Sequence, residues 1–155
     1  MEPVETTSEP KTYYNSVHIH GVDEKRRVQI PAKWRSVEPA AELTLILWPR
    51  CAAGACLMVL PPKQMAQLMR DIDAMPNGDE KTRLKRIIGR GSEQAALDKS
   101  GRICLPEEMA KEAAIADKAV FVGLLDRFEI WNPERYQKVR IADDMMAPDA
   151  LKFIG

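Results

Sequence analysis

"GVDEKRRVQIPAKWR", residues 21–35, places a dense cluster of cations directly before a short apolar strand that ends in proline. A second stretch, "ALDKSGRICLPEEMA" at residues 96–110, repeats this pattern. Both read Asp, three residues, Arg, an apolar residue, any residue, an apolar residue and Pro, and all these positions are related by one constant spacing. The chain therefore uses one supersecondary unit twice, and this duplication decides the fold.

Each copy is predicted to form a strand, the cationic turn, a second strand, a short helix, a β-hairpin and a longer helix. At the start of the first copy, Val17 and Ile19 alternate with His18 and His20, which predicts a half-buried strand with the histidines on its polar face. Two such units can complete each other's sheet and close a barrel with few exposed edges. The predicted fold class is α+β, a duplicated β-hairpin/helix unit that forms a small β-barrel with flanking helices.

Three longer helices are predicted: one ends the first copy, one links the two copies, and one ends the second copy. The first has an apolar face whose residues recur at helical spacing: Met65, Leu68, Met69, Ile72 and Met75. The second, "DEKTRLKRIIG", is predicted to turn Leu84, Ile87 and Ile88 inward. The third, "NPERYQKVRIADDM", has Asn132 as its predicted N-cap and Pro133 at its first position.

The predicted domain boundaries follow the two copies. Residues 1–15 hold Glu, Thr, Ser and Pro with almost nothing to bury, which predicts a flexible arm whose end Tyr13 and Tyr14 could dock. The other divisions are a first repeat with its helix (16–78), a linking helix (79–92), a second repeat with a C-terminal helix (93–145) and a tail (146–155).

Composition excludes several classes of protein. The 155 residues are 45% apolar, enough for a core, and 23 basic residues balance 23 acidic ones, so any nucleic-acid contact must come from local patches. No apolar run approaches the length of a membrane span, and the polar N-terminus does not resemble a signal peptide. Three cysteines suit a reducing compartment, so a cytoplasmic location is predicted.

The second copy resembles a known family. "LDKSGRICLPEEMA", followed by "VFVGLLDRFEIWNPERY", resembles the second repeat of the MraZ proteins, bacterial regulators of the division and cell-wall gene cluster, and "VDEKRRVQIPAKWR" resembles their first repeat. The resemblance spans about residues 16–145. It implies a fold like the AbrB swapped-hairpin barrel, with an Asp-x-x-x-Arg motif in each repeat. One such motif is common by chance, whereas two at one spacing are specific.

The cationic turns are the predicted DNA-binding site. Arg27 and Arg102 can each grip a phosphate or read O6 and N7 of guanine bidentately. Asp23 and Asp98, four residues earlier, are predicted to accept a hydrogen bond from these arginines and orient them. The remaining cations predicted to contact phosphates are Lys25, Arg26 and Lys99.

The two turns differ at the residue before the arginine. Gly101 precedes Arg102, as is usual in the family, and glycine allows a positive φ at little cost. Arg26 stands at the equivalent position before Arg27. This difference implies either another turn shape or some strain in the first copy.

Metal and catalytic sites are not predicted. His18 and His20 share a strand face, but Cys51 and Cys56 lack metal-ligand spacing and no third ligand stands out. Cys104 lies on the opposite strand face from its inward neighbours and is predicted to be structural. The chain has no phosphate-cradling glycine loop, nucleophile elbow or His-Glu-x-x-His motif, so we predict no enzyme and no cofactor.

Residues and resemblance together predict a sequence-specific DNA-binding regulator. The resemblance implies a homo-oligomeric ring, associated with the nucleoid, that binds direct repeats in double-stranded DNA upstream of its own operon and represses it. One alternative is an AbrB-like antitoxin or transition-state regulator, although such chains usually carry one copy of the turn. Another is a structural or scaffolding oligomer whose turns contact protein.

Overall fold

The computed structural model describes residues 13–35, 42–49 and 52–155. These residues form an α+β fold in which six strands make one antiparallel sheet and two more make a separate ribbon. The elements are β1 (Val17–Gly21), β2 (Arg27–Gln29), α1 (Ala32–Arg35), β3 (Leu43–Trp48), β4 (Cys56–Leu60), α2 (Pro62–Asp73), α3 (Asp79–Arg90), β5 (Ser92–Ala95), β6 (Arg102–Cys104), α4 (Glu107–Glu112), β7 (Lys118–Gly123), β8 (Phe128–Trp131) and α5 (Pro133–Ala150), followed by a 3-10 turn (Leu151–Phe153).

The order of the sheet records the duplication. Its strands run β1-β7-β8-β4-β3-β5, and exchanging each strand for its counterpart in the other copy gives the same order from the opposite end. The ribbon pairs β2 with β6, and its central pair joins the equivalent residues Val28 and Ile103. The two copies are therefore related by an approximate twofold axis that passes between β2 and β6.

Both copies contribute to one hydrophobic core. Val28 and Ile30 of the first copy and Ile103 and Leu105 of the second are all buried in the same cluster, which confirms the alternation predicted for both strands that follow the turns. The indole of Trp34 packs with them, and aromatic rings from the second copy surround it. Each copy supplies only part of this cluster, so neither copy has a complete core alone. Burial of such side chains is the main favourable term in folding.

The prediction for the two faces of β1 was wrong. Val17 and Ile19 point to solvent, and Ile19 is 65% exposed, whereas His18 and His20 are half-buried. The reason is aromatic packing: the His18 ring lies edge-on to Trp34 at 5.3 Å, and the His20 ring meets Phe121 at 5.6 Å. Burial, with His18 and Arg35 as further causes, lowers the pKa of His20 below its ordinary value of 6.5.

The helices lie where the sequence predicted them, and they differ from the predictions in two exposed side chains and in one helix end. Asn132 caps α5 by accepting the Arg135 N–H at 2.9 Å, as predicted. On α2 and α3, Met69 and Ile87 are exposed, although both were predicted to face inward. Each sits at the border of its apolar face and not at its centre. The last helix also runs to Ala150, beyond its predicted end, with Pro148 in its last turn.

The N-terminal part of the described chain docks as the tyrosines suggested. Tyr14 is buried and exchanges two backbone hydrogen bonds with Leu125, at 2.9 and 2.8 Å. Gly123 permits this approach, since a Cβ at that position would overlap the Tyr14 backbone. Tyr13 remains exposed, and residues 1–12, most of the predicted arm, lie outside the described residues.

The closed barrel stays a prediction. Among the described residues, β1 and β5 each pair on one side only, so they are the two edges of the six-stranded sheet. Within the described part of the chain, one backbone bridge, from Val22 to Val28, joins the ribbon to the chain that leaves β1, and the ribbon also packs on the sheet through the shared hydrophobic core. The α+β class and the duplicated unit agree with the prediction.

We expect neither half of the chain to fold as a monomer. In the fragment 79–155, β5, β6, β7 and β8 would lose their pairing with β3, β2, β1 and β4 respectively, and only the β7–β8 hairpin would keep a partner. An isolated hairpin is marginally stable in water. Denaturation of this fragment, followed by circular dichroism, should show no cooperative transition, and mixing it with fragment 1–78 is the control. A monomeric fragment that unfolds cooperatively would contradict the shared core.

Candidate nucleic-acid interface

Asp23 closes the first turn through hydrogen bonds of both its backbone and its side chain. Its N–H donates to the Arg27 carbonyl at 3.0 Å, and its carbonyl accepts the Arg26 N–H at 2.9 Å. Carboxylate Oδ1 accepts the N–H groups of Lys25 and Arg27 at 2.9 and 2.8 Å. Oδ2 accepts Nε of Arg27 at 2.7 Å. One carboxylate thus fixes the backbone of the turn and the side chain of its arginine.

The second turn repeats these bonds one for one. The Asp98 N–H donates to the Arg102 carbonyl at 2.8 Å, and the Asp98 carbonyl accepts the Gly101 N–H at 3.0 Å. Its Oδ1 accepts the N–H groups of Ser100 and Arg102, both at 2.9 Å, and its Oδ2 accepts Nε of Arg102 at 3.0 Å. The repeated sequence therefore encodes a repeated turn.

Hydrogen bonding lowers the pKa of both carboxyl groups below 3.8, their ordinary value. For Asp23 the largest cause is the backbone N–H of Arg27, joined by its guanidinium and the Lys25 N–H. For Asp98 it is the backbone N–H of Arg102, joined by the Ser100 N–H and the Arg102 guanidinium. Since the unfolded chain binds more protons in acid, the stabilisation from these pairs is present above the unfolded pKa and lost as the pH falls through the folded one. Both carboxylates are charged at neutral pH.

The two arginines project from the same face of the ribbon. Arg27 lies opposite Cys104, and Gln29 lies opposite Arg102, while the residues between them point into the core. The side chains of Arg27 and Arg102 are 36% and 31% exposed. Nη1 of Arg102 also lies 4.0 Å from Oδ2 of Asp23. Within the described residues, no hydrogen bond uses the terminal amino groups of either arginine, so these groups are available to a ligand.

The first turn has the same shape as the second and is strained. Arg26 has a φ of 62°, close to the 80° of Gly101, and a non-glycine residue pays about 1–2 kcal/mol for this conformation. The second copy holds Arg26 in place: its Nε donates to the Leu105 carbonyl at 3.0 Å, and its own carbonyl accepts the Leu105 N–H at 2.8 Å. Of the two possibilities that the sequence left open, strain is the one observed.

Gly101 is buried beneath the Arg35 side chain. A Cβ on Gly101 would overlap the aliphatic and guanidinium atoms of Arg35. In the second copy, the position equivalent to Arg35 is Ala110, the fifth residue of "PEEMA" where the first copy has "PAKWR". In the second turn, Gly101 therefore lies under Arg35 of the first copy's short helix. In the first turn, Arg26 takes the place of the glycine, and the second copy's short helix has Ala110 in place of the arginine.

Each turn is also contacted by the other copy, which the sequence reasoning missed. Nε2 of Gln29 donates to the Ser100 carbonyl at 2.6 Å, and Sγ of Cys104 donates to the Lys25 carbonyl at 3.3 Å. Gln29 and Cys104 hold the same place in the two copies, two residues after the arginine and on the same strand face. Their equivalent positions in the two copies are the signal from which these contacts could have been predicted. The remaining predicted cation, Lys99, is exposed at the tip of the second turn.

The described residues form neither a metal site nor a membrane-spanning helix. Among the described residues, no group of three or more His, Cys, Asp and Glu side chains could hold a metal ion, and Cys51 lies outside that part of the chain. The helices within the described ranges are all too short or too polar to cross a membrane.

Comparison with known proteins places this chain in a family. A family model described as "MraZ protein, putative antitoxin-like" matches residues 88–150. The "Transcriptional regulator MraZ" of Roseiflexus castenholzii is 36% identical over 129 residues, which cover 83% of this chain and 87% of that protein. The chain belongs to the MraZ family. This finding confirms the resemblance and identifies the chain as one of a family of transcriptional regulators, which is not an enzyme family.

Two further MraZ proteins match the chain over a similar share of its length. The "Transcriptional regulator MraZ" of Rhodospirillum rubrum is 35% identical over 132 residues, covering 83% of this chain and 82% of that protein. That of Rickettsia typhi is 32% identical over 124 residues, covering 79% and 83%. The similarity therefore extends over most of the chain.

The contact between Gly101 and Arg35 generates a stability prediction. Gly101→Ala should lower the free energy of unfolding by at least about 1–2 kcal/mol, because alanine disfavours a positive φ and its methyl group displaces Arg35. The Arg35→Ala variant removes the second cause and leaves the first. In urea denaturation, Gly101→Ala should therefore cost less in the Arg35→Ala background than in the natural chain. Equal costs in both backgrounds would show that Arg35 does not restrict this position.

Proposed function

We propose that this protein regulates transcription by binding double-stranded DNA through its two turns, residues 23–27 and 98–102. The observation that carries the proposal is the pair of turns closed by the same aspartate–arginine hydrogen bonds, whose arginines project from one face of the β2–β6 ribbon. A two-stranded ribbon is narrow enough to enter the major groove. The paired strands also set the distance between the two arginines, so both can meet one DNA surface.

The aspartates prepare the arginines for this contact. Each carboxylate accepts Nε and leaves the terminal amino groups without a hydrogen bond among the described residues. These groups can donate together to O6 and N7 of guanine or to phosphate oxygens. Because the guanidinium is already fixed by Asp23 or Asp98, little side-chain entropy is lost on binding. The proposed roles are therefore base or phosphate contact for Arg27 and Arg102, and orientation for the two aspartates.

The surrounding cations supply contacts that do not depend on sequence. Lys25 and Lys99 lie exposed at the tips of the turns and can neutralise phosphates. Arg26 contributes less in this proposal, because its Nε already donates to the Leu105 carbonyl. The formal net charge of zero means that attraction to DNA comes from this face and not from the whole molecule.

The proposed target is the promoter of the protein's own division and cell-wall operon, repressed through direct repeats. We propose that the protein acts there, on the nucleoid in the cytoplasm, as a homo-oligomer, with a ring as the expected arrangement. Exposed apolar side chains near the C-terminus support association, including Met145, Met146 and Phe153, the last of which is 90% exposed. Met69 on α2 is a further exposed apolar side chain.

Loss of either arginine should weaken DNA binding without unfolding the protein. Arg27→Ala and Arg102→Ala should each cost on the order of 1–3 kcal/mol of binding free energy, about 5- to 150-fold in Kd. A matched control is Arg127→Ala, since Arg127 also donates Nε to an aspartate at 3.0 Å and has a similar exposure, but lies at the opposite end of β1 from the first turn. The measurement is a binding titration with promoter DNA at several salt concentrations, together with thermal unfolding.

Two results would count against the proposed function. One is an unchanged Kd for both turn variants. The other is binding that does not weaken as salt rises, because contacts to phosphates release counterions and must be salt-dependent. A salt-independent self-association in the absence of DNA binding would favour a scaffolding role instead.

Tight binding should require several direct repeats. One chain offers two small turns, and non-specific contacts of that size give dissociation constants of roughly 10⁻⁴–10⁻⁶ M. In an oligomer each later contact is intramolecular, which can raise the overall affinity by about 10²–10⁴-fold. Fragments with one, two and three repeats should therefore bind with steeply rising affinity. Inserting about 5 base pairs, half a helical turn, between repeats should remove the gain, and equal affinity for all fragments would refute the prediction.

A further inference from the structure

The two turns are held by side chains that cross from one copy to the other. Gln29 extends from β2 to the tip of the second turn and donates to the Ser100 carbonyl at 2.6 Å. At the equivalent place, the Cys104 thiol extends from β6 to the tip of the first turn and donates to the Lys25 carbonyl at 3.3 Å. Both contacts lie on the outer face of the ribbon, beside the arginines and outside the hydrophobic core.

We propose that Gln29 is a positioning residue for Arg102, acting through the second turn. This inference rests on the proposed function, because it concerns how well the turn presents its arginine to DNA. The path of contacts is continuous. Gln29 binds the carbonyl of Ser100, the N–H of Ser100 binds Oδ1 of Asp98, and Oδ2 of Asp98 binds Nε of Arg102. The first copy thus determines the position of the arginine in the second.

Besides Gln29, the second turn is held by its own bonds to Asp98, by the Ile30 N–H that donates to the Gly101 carbonyl at 3.0 Å, and by Arg35 packed over Gly101. Lys99 and Ser100 are exposed, and Gly101 provides no side chain that could brace the backbone. Within the described residues, the Ser100 carbonyl receives no other side-chain donor. Removing the Gln29 amide should therefore let the tip move and spread Arg102 over several directions, which lowers its affinity for a fixed DNA group.

The first turn is braced by different chemistry. A thiol is a weak donor, so Cys104 holds Lys25 less firmly than Gln29 holds Ser100. The first turn has a brace of its own in Arg26, which donates to the Leu105 carbonyl at 3.0 Å. The glutamine is therefore specific to the turn that has glycine, and its removal should act on Arg102 and leave Arg27 unchanged.

The test is a set of double-mutant cycles on DNA affinity. Gln29→Met keeps the length of the side chain and removes the donor. It is combined with Arg102→Ala and with Arg27→Ala, and all Kd values are measured on one promoter fragment at low salt, where the weak variants still bind. The control is Gln67→Met, which removes exposed hydrogen bonds on α2, that from Gln67 Nε2 to Asp71 at 2.8 Å and that from Arg70 to Gln67 Oε1 at 2.7 Å.

We expect Gln29→Met to weaken binding about threefold to tenfold in the natural chain, the effect of losing one ordinary hydrogen bond. The same loss should appear in the Arg27→Ala background, and almost none in the Arg102→Ala background, because there is no longer an arginine to position. Gln67→Met should have no effect on Kd in any background. Thermal unfolding should change little, and equally, in all three backgrounds.

Two kinds of result would overturn this inference, and they differ from failure of the proposed function. If Gln29→Met binds normally in the natural chain, the glutamine positions nothing. If it weakens binding equally in all backgrounds, it either contacts DNA itself or supports the fold in general. If instead Arg102→Ala and Arg27→Ala both bind normally, the proposed function fails, and this inference with it.

Discussion

The antiparallel pairing of β2 with β6 is the constraint on which the rest of the structure depends. Three residue pairs place Val28 and Ile103 in the core and turn Arg27 and Arg102 to the outside. The same pairing sets the two turns side by side, since each strand begins where its turn ends. Core packing and surface chemistry are thus fixed together, because successive side chains of a strand point to opposite faces. A one-residue slip in this register would bury the arginines.

The repeated motif made the duplicated unit and its turns predictable, but it did not predict which face of β1 is buried. Repetition identified the duplicated unit, the aspartate–arginine turns and the strands that follow them. Periodicity also found the alternation in β1, but it could not tell which face is inward, because Ile19 is the more apolar residue and His18 fits better against Trp34. The contacts of Gln29 with Ser100 depend on strand register between the copies, and no local pattern in one sequence records that register.

The two turns show how one backbone shape is kept with different residues. Gly101 adopts a positive φ freely and leaves room that Arg35 fills. Arg26 adopts the same conformation under strain and compensates by donating to the Leu105 carbonyl. An arginine therefore supports each turn: Arg35 covers the second turn from α1, and Arg26 is part of the first turn itself. Such different solutions for the two turns require two copies whose sequences can change independently.

That divergence gives each chain a direction. Two identical turns related by a twofold axis would present the same surface both ways round, which suits palindromic DNA. Here one turn carries Arg26 and a thiol contact, and the other carries Gly101 and a glutamine contact, so the two ends of the ribbon differ. In the proposed ring, chains placed side by side would repeat this polarity, and a surface that repeats in one direction would match the proposed direct repeats. The asymmetry between the copies is therefore what would let an oligomer of this chain distinguish direct repeats from inverted ones.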